Sequence, residues 1–384
     1  MKIIVVVPYL AAIGGAGRYA WELSEYLVSK GDYVIIASLY ADRNLYHSKE
    51  NIEVVDLADK SSLTQTIKFW YSLRKISKKL ASLVKNEKPD LVLFNHFPST
   101  LWVQKYGNIP ILCYPQDIHL LYADTYISNL TLGIRLLWRI LRLFVRMYDK
   151  KKWKYFDQVI CNSKFSANHI SRVYGVKPTI IYPGTNTQAF VPINSTSKKR
   201  VILSIANHKT RRADFLIKAA SIIHQKRNDF KIWMVGSSGT YDKELKDLVK
   251  KYNLTEIVEF FGNVSDSELV KLYSESLVLV HLQKIHPFGL VFIEAMACET
   301  PVIACKPGAT EEVIVHGETG FLIDENDYES LIKYIEKFLD DTNLSNTMGK
   351  EGRIRVKKYF EMSEQYDKMR ELMQEWICKK SNLN

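Results

Sequence analysis

The chain has 384 residues, of which 47% are hydrophobic, and this is enough for two domains with separate cores. Charges interrupt every apolar run before it reaches the roughly 18 residues that a membrane span needs, and the first run leads into glycines rather than a cleavage site. The net charge of +11 belongs to one half, because residues 1–190 carry 25 Lys+Arg against 14 Asp+Glu and residues 191–384 carry 28 of each. We therefore expect an anionic partner for the first half.

The first half alternates β-rich runs with helical patterns, which predicts a parallel sheet with helices on both faces. The predicted strands are 2–7, 33–39, 52–57, 90–95, 110–114, 157–162 and 179–183. The predicted helices are 16–30, 63–86, 129–155 and 164–174. A polar, turn-rich segment without periodicity then predicts an interdomain linker at 186–200, so that the first domain spans 1–185.

The second half repeats this scheme in a predicted domain over 201–360. Its predicted strands are 201–206, 231–236, 258–262, 277–282, 301–305 and 320–323. Its predicted helices include 213–226, 241–252, 266–275 and 289–298, and only helical patterns follow residue 326. Two doubly wound domains in tandem would place the carboxyl ends of both sheets across one cleft, where ligands bind in such folds.

A glycine loop follows the first predicted strand. Gly14, Gly15 and Gly17 precede an amphipathic helix, and glycines there let the backbone and the first helix amides approach an anion. The pattern Gly15-x-Gly17-x-x-Ala20 also fits a loose dinucleotide fingerprint, although the loop is long and the expected ribose-binding acid is represented only by Asp42. A diphosphate or acceptor site, a dinucleotide site and a plain turn remain alternatives.

Two segments of the second half carry candidate site residues. The loop after strand 201–206 contains His208, Lys209, Arg211 and Arg212, cations that could neutralise a diphosphate leaving group or could line a solvated loop.

The second segment, HPFGLVFIEAMACETPVIA, spans residues 286–304 and starts a helix at Phe288, Gly289 and Leu290, whose amides would face a ligand. Glu294 lies in an apolar run, where a carboxylate is costly to bury unless it accepts hydrogen bonds, as from the diol of a ribose. The alternative is a carboxylate that is turned outward or bonded to the protein.

These motifs resemble glycosyltransferase family four, a family of retaining GT-B enzymes that use nucleotide-sugar donors. The family hallmark is a pair of glutamates separated by seven residues, and HPFGLVFIEAMACETPVIA matches it closely from Phe288 onward. Other segments that resemble the family are GGAGRYAWELSEYL, CNSKFSANHI, IIYPGTNTQAF and PGATEEVIVHGETGFLI. The resemblance implies an α/β fold of two Rossmann-like, doubly wound domains facing a cleft, with the C-terminal segment 361–384 packing back on the first domain.

The chain departs from the family pattern at three places. His286 replaces the first glutamate of the pair, which usually touches the donor sugar, and Glu299 stands where glycine is usual. The usual Gly-Arg after the first strand of the second domain becomes Ala206-Asn207. The cationic role then falls on Lys209, Arg211 or Arg212, of which Arg211 is best placed by its resemblance to the family lysine.

The resemblance also implies individual roles. Glu294 would bind the ribose, Arg211 with Lys209 would hold the diphosphate, and Gly15 would approach the diphosphate from the first domain. His96, at the end of a predicted strand, resembles a family histidine near the reacting centre, although a lone histidine is often structural. The predicted catalytic residues are His96, Lys209, Arg211 and His286. The predicted nucleotide-sugar-binding residues are Gly14, Gly15, Gly17, Arg212, Phe288, Gly289, Leu290 and Glu294.

The segment 129–155 has a cationic stripe on an apolar helix. Its arginines are spaced four, three and four residues apart, on one helical face, at Arg135, Arg139, Arg142 and Arg146. Lysines and aromatic residues follow, which is typical of a helix at an anionic membrane interface. A core helix with an exposed cationic face is the alternative. The sequence contains no recognised nucleic-acid-binding module, so we expect no nucleic-acid partner.

The combined prediction is a glycosyltransferase that moves a hexose from a donor of the GDP-mannose or UDP-glucose type to a lipid-linked or polysaccharide acceptor. No metal is expected, because Arg and Lys can carry the countercharge. The odd number of cysteines, without a close metal-type pair, predicts reduced thiols and a cytoplasmic protein. The cationic helix 129–155 adds the expectation of a peripheral position at the inner membrane face. The alternatives are a nucleotide-sugar 2-epimerase, a non-catalytic nucleotide-sugar binder and a dinucleotide oxidoreductase.

Overall fold

The computed structural model describes residues 1–10, 15–58, 66–116, 143–193, 198–206, 208–236 and 239–382. The contacts within the chain divide it into two compact units. Unit 1 comprises Met1–Tyr182 and Gln365–Asn384, and unit 2 comprises Pro183–Glu364. Gly14, Asn207 and the stretch 117–142, with three of the four stripe arginines, lie outside the described residues.

Unit 1 is built around a parallel sheet. Its strands are β1 Lys2–Leu10, β2 Tyr33–Ala41, β3 Ile52–Asp56, β4 Leu91–Asn95, β5 Ile111–Tyr114, β6 Gln158–Cys161 and β7 Thr179–Ile180. Its helices are α1 Gly15–Ser29, α2 Thr66–Glu87, the described helical residues 143–152 (α3) and α4 Lys164–Tyr174. The strand order among these residues is β3-β2-β1-β4-β5-β6-β7.

Unit 2 has the same plan. Its strands are β8 Lys199–Ile205, β9 Lys231–Val235, β10 Val258–Gly262, β11 Ser276–His281, β12 Val302–Cys305 and β13 Gly320–Ile323. Its helices are α5 Ala213–His224, α6 Gly239–Lys251, α7 Asp266–Glu275, α8 Leu290–Ala297, the short α9 Thr310–Val313, α10 Tyr328–Asp340 and α11 Thr342–Tyr359. The described strands follow the order β10-β9-β8-β11-β12-β13, and a final helix, α12 Met362–Ser381, follows α11.

The strand order defines where a ligand would bind in each unit. In both sheets the winding reverses direction, between β1 and β4 in unit 1 and between β8 and β11 in unit 2. All the paired strands are parallel, and their long apolar runs are buried on both faces, as in β1 and β11. Ligands of doubly wound sheets bind at the carboxyl ends of the strands that flank this reversal.

The prediction of two parallel sheets with interleaved helices is confirmed. Most strands and helices begin and end within a few residues of the predicted positions. β1 extends to Leu10 rather than to residue 7, because its ladder with β2 continues through Tyr9 and Leu10. β8 begins at Lys199, inside the segment predicted as linker, because Lys199 pairs with Ser276 of β11. No helix among the described residues is long and apolar enough to cross a bilayer.

The C-terminal helix α12 contributes side chains to unit 1. Tyr366 is fully buried and its ring lies 5.5 Å from that of Tyr19 and 5.4 Å from that of Tyr26. Arg370 donates to the buried carboxylate of Asp32, with Nε 2.8 Å from Oδ2. The guanidinium and the Met1 ammonium, whose nitrogen lies 2.7 Å from Oδ1, together satisfy a carboxylate that would otherwise be costly to bury, and the Arg370 bond holds α12 on unit 1.

Arg370→Met should loosen α12. A hydrogen bond between charged groups stabilises more than a neutral one, so amide exchange over 365–381 should become about 10- to 100-fold faster. The matched control is Lys379→Met, because the Lys379–Glu375 pair is exposed and should change exchange by less than about threefold. Equal exchange rates in the two variants, measured by mass spectrometry, would contradict the role of Arg370.

Candidate active site

The reversal of winding in unit 2 brings together two loops that are distant in sequence. β8 and β11 are neighbours, with Ile202 paired to Val278 and Leu203 paired to Leu279. The loop that follows β8 carries Arg211, and β11 ends at His281 and leads to His286. These side chains therefore meet at the carboxyl edge of the sheet, where the strand order predicts a ligand site.

The Arg211 guanidinium is the centre of this cluster. Its Nη1 atom lies 2.6 Å from Gln283 Oε1, 3.1 Å from His281 Nε2 and 3.0 Å from His286 Nε2. The two Nε2 atoms are 3.3 Å apart. Since a guanidinium only donates hydrogen bonds, Arg211 can donate to either imidazole only where its Nε2 is unprotonated. Each imidazole in that arrangement is neutral and carries its proton on Nδ1.

Burial and charge both favour these neutral imidazoles. His281 is 1% exposed and His286 is 8% exposed. Burial, and then the positive charge of Arg211, lower the pKa of both histidines well below the ordinary value, and His286 further lowers that of His281. The Nδ1 atoms of both rings are buried and have no hydrogen-bond partner among the described residues. The cluster therefore carries the charge of Arg211 and two uncharged imidazoles at neutral pH.

The sequence motifs predict Arg211 and His286 as site residues, but no motif points to His281. The position of His281 could have indicated a site residue. It ends the apolar run LVLVH and therefore stands at the carboxyl end of the strand beside β8. Polar residues at that position of a doubly wound sheet commonly line the ligand site.

Helix α8 begins with a sharp turn at Gly289. Gly289 has φ of 104°, a conformation that residues with a side chain rarely adopt, and a Cβ there would lie 2.4 Å from the ring of Phe292. Phe288 is buried against Phe360, with ring centroids 5.6 Å apart, whereas Leu290 at the first helical position is partly exposed.

Glu294 is buried in α8, as the apolar run predicts. Its side chain is 7% exposed, and its Oε2 accepts a hydrogen bond of 3.4 Å from the hydroxyl of Tyr273. The neighbours of Glu294 in α8 are fully buried apolar residues, among them Ile293 and Ala295. This contact is the protein-bonded alternative for Glu294, and a carboxylate has capacity to accept further hydrogen bonds from hydroxyl donors.

Two predicted cations have other partners in this structure. Lys209 pairs with Glu244 of α6 at 3.0 Å, and both side chains are more than half exposed. Arg212 adopts a left-handed conformation with φ of 57°, donates to Asn326 Oδ1 at 2.8 Å and lies 4.5 Å from the ring centroid of Phe215. Among the predicted cations, Arg211 is the one held against the two histidines.

The described predicted residues of unit 1, namely Gly15, Gly17 and His96, lie at the equivalent edge of its own sheet. Gly15 begins α1 and is exposed, while Gly17 is packed so closely on β1 that a Cβ would lie 2.7 Å from the carbonyl oxygen of Tyr9. His96 directly follows β4 and its backbone amide donates to the carbonyl of Tyr114 at 3.2 Å. Asn95 donates to the carbonyl of Ala16, which ties the start of α1 to the end of β4. The roles of Gly15 at the diphosphate and of His96 near the reacting centre stay predictions.

Two family models match the chain, one in each half. The model described as Glycosyltransferase Family 4 matches residues 13–189, and that described as Glycosyl transferases group 1 matches residues 186–355. Two parallel, doubly wound sheets with these matches define a glycosyltransferase of the GT-B fold class. The chain belongs to glycosyltransferase family four, which confirms the resemblance inferred from the motifs.

Curated relatives are similar at modest identity. An uncharacterized glycosyltransferase from Haemophilus influenzae is 26% identical over 388 residues, which cover 98% of each chain. The human α-1,3/1,6-mannosyltransferase ALG2 is 30% identical over 229 residues, and an uncharacterized glycosyltransferase from Methanocaldococcus jannaschii is 29% identical over 203 residues. Each of the last two matches covers 53% of this chain and 55% of the relative, so the chain spans about half the length of these relatives.

Solved structures share the fold over nearly the whole chain. A sucrose-phosphate synthase from Thermosynechococcus elongatus has a TM-score of 0.85 at 23% identity, covering 98% of this chain and 99% of its own. Anabaena HepE in complex with UDP-glucose has a TM-score of 0.77 at 19% identity, covering 98% of this chain and 100% of its own. At these identities the likeness supports the fold.

Gly289→Ala should destabilise unit 2 by combining backbone strain with a clash against Phe292. We expect its free energy of unfolding to fall by about 2–4 kcal/mol. Gly317→Ala is the matched control, because Gly317 also has a positive φ, of 83°, but open space around its Cβ position. The control should cost only about 1 kcal/mol. Equal losses in the unit 2 transition, measured by thermal unfolding, would show that Phe292 does not constrain the turn.

Proposed function

We propose that the protein transfers a hexose from a nucleotide-diphosphate sugar to a hydroxyl group of a lipid-linked or polysaccharide acceptor, with retention at the anomeric carbon. In this proposal Glu294 accepts the ribose hydroxyls, Arg211 binds the diphosphate and the first amides of α8 face the donor sugar and phosphates. The bond between the anomeric carbon and the diphosphate oxygen breaks, a bond to the acceptor oxygen forms, and the acceptor proton passes to the departing diphosphate.

This proposal rests on two groups of unit 2. One is the buried carboxylate of Glu294, and the other is the guanidinium of Arg211 at the carboxyl edge of the sheet. Glu294 lies in α8, immediately after the loop that contains His286, and Arg211 bonds to that loop at His286 and Gln283. A carboxylate suits a diol and a guanidinium suits a diphosphate, so both groups of a nucleotide sugar have a complementary partner.

The charge of Arg211 supplies the main catalytic effect in this scheme. Negative charge grows on the diphosphate as it departs, and a fixed cation stabilises that charge more strongly in a water-excluded site than in water. Each 1.4 kcal/mol of such selective stabilisation increases the rate about tenfold. Because Arg211 can provide this countercharge without a metal ion, the proposed mechanism is metal-independent.

The relatives support a nucleotide-sugar donor but do not select one. ALG2 is named as a mannosyltransferase, and the HepE structure contains UDP-glucose. A panel of UDP-, GDP-, ADP- and dTDP-linked hexoses, scored for binding and for release of nucleotide, tests the class. A 2-epimerase would interconvert the sugar without releasing nucleotide, and a binding protein would turn nothing over. Failure of every nucleotide sugar to bind would contradict the proposed function.

Glu294→Ala should weaken binding of the preferred donor by at least about tenfold, because a charged acceptor of two hydroxyl hydrogen bonds is lost. Glu294→Gln is the matched control, since it retains the shape and one neutral acceptor, and it should show a smaller loss. Isothermal titration of each variant measures the effect. An unchanged dissociation constant in Glu294→Ala would remove the ribose assignment.

We also propose that unit 1 binds an anionic membrane surface, through a surface patch at α3 and the residues that follow it. Large apolar side chains protrude from this described part of the chain at Leu143, Phe144, Met147 and Tyr148, and Phe144 is 66% exposed. Exposed cations lie between and after them at Arg146, Lys150, Lys151 and Lys154. Apolar side chains beside cations are typical of helices that lie at the membrane interface.

Buried contacts hold this patch in place. Asp149, on the opposite face of α3, is fully buried, accepts from Thr100 at 3.1 Å and also accepts from the hydroxyl of Tyr174. Trp153 is buried, with its ring stacked on Tyr174 at 3.6 Å between centroids. The anchoring of one face supports the interpretation that the other face is available to a surface. Such a position would bring a lipid-linked acceptor to unit 1.

Replacing Arg146, Lys150, Lys151 and Lys154 by Gln should reduce binding to anionic liposomes by at least about tenfold at low salt, since each basic group near such a surface contributes about 1 kcal/mol. The matched control replaces four exposed lysines of unit 2 by Gln, namely Lys243, Lys250, Lys271 and Lys350. Co-sedimentation with vesicles containing phosphatidylserine measures both variants. Equal binding of the two variants would contradict the assignment to this patch.

A further inference from the structure

The His281–His286 pair has a feature that the proposed transfer reaction does not use. Both Nε2 atoms face Arg211 Nη1 and also face each other at 3.3 Å. Three acceptors, the two imidazoles and Gln283 Oε1, surround a nitrogen that carries two hydrogens. The arrangement therefore holds one acceptor more than Nη1 can serve with linear hydrogen bonds.

An arriving diphosphate would compete for the same guanidinium. A guanidinium and a phosphate carry opposite charges and can form two parallel hydrogen bonds, so the phosphate is a stronger partner for Arg211 than a neutral acceptor is. Arg211 would therefore turn toward the phosphate oxygens, and the Nε2 lone pairs of the two imidazoles would lose their donor. Two facing imidazole nitrogens without a donor between them can bind one proton, as an N–H···N hydrogen bond.

We propose that donor binding draws Arg211 off the two histidines and that the His281–His286 pair then takes up one proton from solvent, held between the two Nε2 atoms. This inference rests on the proposed function, because it assigns the anion at Arg211 to the diphosphate of a nucleotide sugar. The two histidines hold Arg211 in the donor-free protein and act on the bound donor through the charge of the shared proton. The added proton places a second positive charge next to the leaving diphosphate.

The surroundings of the pair set the direction of the effect. The groups that face it are Arg211 from the loop after β8, Gln283 from the loop after β11 and the apolar ring of Phe292 from α8, whose centroid lies 5.5 Å from His281 and 5.0 Å from His286. The backbone of Ala309 donates to the carbonyl of His286 and carries no net charge.

Without the donor, burial and the charge of Arg211 hold the pKa of each ring well below its ordinary value. An adjacent diphosphate carries negative charge and raises the pKa of the pair, so a proton is bound in the complex and not in the free protein. By linkage, donor affinity then increases as the pH falls from 8 to 6.

The test is a calorimetric titration of the wild-type protein at pH 7, with the tightest-binding nucleotide sugar of the panel, in buffers of different ionisation enthalpy. Intact nucleotide sugars are chosen because their diphosphate, esterified at both ends, does not titrate near pH 7. The expected result is uptake of about half a proton or more per donor bound, with affinity that rises severalfold between pH 8 and pH 6. Binding without proton uptake would overturn the inference and leave the proposed function intact. Failure of the whole panel to bind would refute the proposed function, and the inference with it.

Variants identify the site of the proton. His281→Gln and His286→Gln each retain an acceptor for Arg211 but cannot hold the shared proton, so both should abolish proton uptake and flatten the pH dependence of affinity. His224→Gln is the matched control, because His224 lies at the far end of α5 from Arg211. Proton uptake that persists in both glutamine variants would overturn the proposal.

The donor-free protein provides an independent arm. Imidazole nitrogen shifts in the NMR spectrum should show both rings neutral, with the proton on Nδ1, at pH 7. Charged rings in the free protein would also overturn the proposal, whether or not the glutamine variants fold.

Discussion

The contact between Arg211 and the two buried histidines organises the carboxyl edge of the sheet in unit 2. The guanidinium lies within 3.1 Å of three side-chain acceptors, and all three belong to β11 or the loop that follows it. This contact is available only because β8 and β11 are neighbours at the reversal of the sheet, which joins two loops about 70 residues apart. It places a cation at the edge where doubly wound sheets bind ligands, and it leaves both imidazoles uncharged.

The departure from the family pattern at His286 has a physical consequence at this contact. A glutamate at that position would be a permanent anion beside Arg211, whereas a neutral imidazole accepts a hydrogen bond from Arg211 and leaves its charge uncompensated by that residue. In the proposed function, the attraction of the site for a diphosphate is then sensitive to the protonation of two histidines. The carboxylate of Glu294 would remain the acceptor for hydroxyl groups, so the two acidic positions of the family would have different chemistry in this chain.

Much of the fold followed from the sequence because its signals are local. Short β-rich runs that alternate with helical patterns predicted both sheets, and the apolar run around Glu294 predicted a buried carboxylate. The contacts of individual cations could not be predicted in this way. Lys209, Arg211 and Arg212 are neighbours in sequence, yet one bonds to Glu244, one to the histidines and one to Asn326, because the short helical turn at 209–211 directs each side chain differently. His281 was missed for a related reason, since its importance depends on strand order rather than on any motif.

The central claim is that unit 2 binds a nucleotide sugar through Glu294 and Arg211. A crystal structure of the protein with a bound nucleotide sugar tests it most directly. The account predicts both ribose hydroxyls within hydrogen-bond distance of the Glu294 carboxylate and the diphosphate against the Arg211 guanidinium. A donor that binds with its ribose remote from Glu294, or with its phosphates held by other side chains, would contradict it.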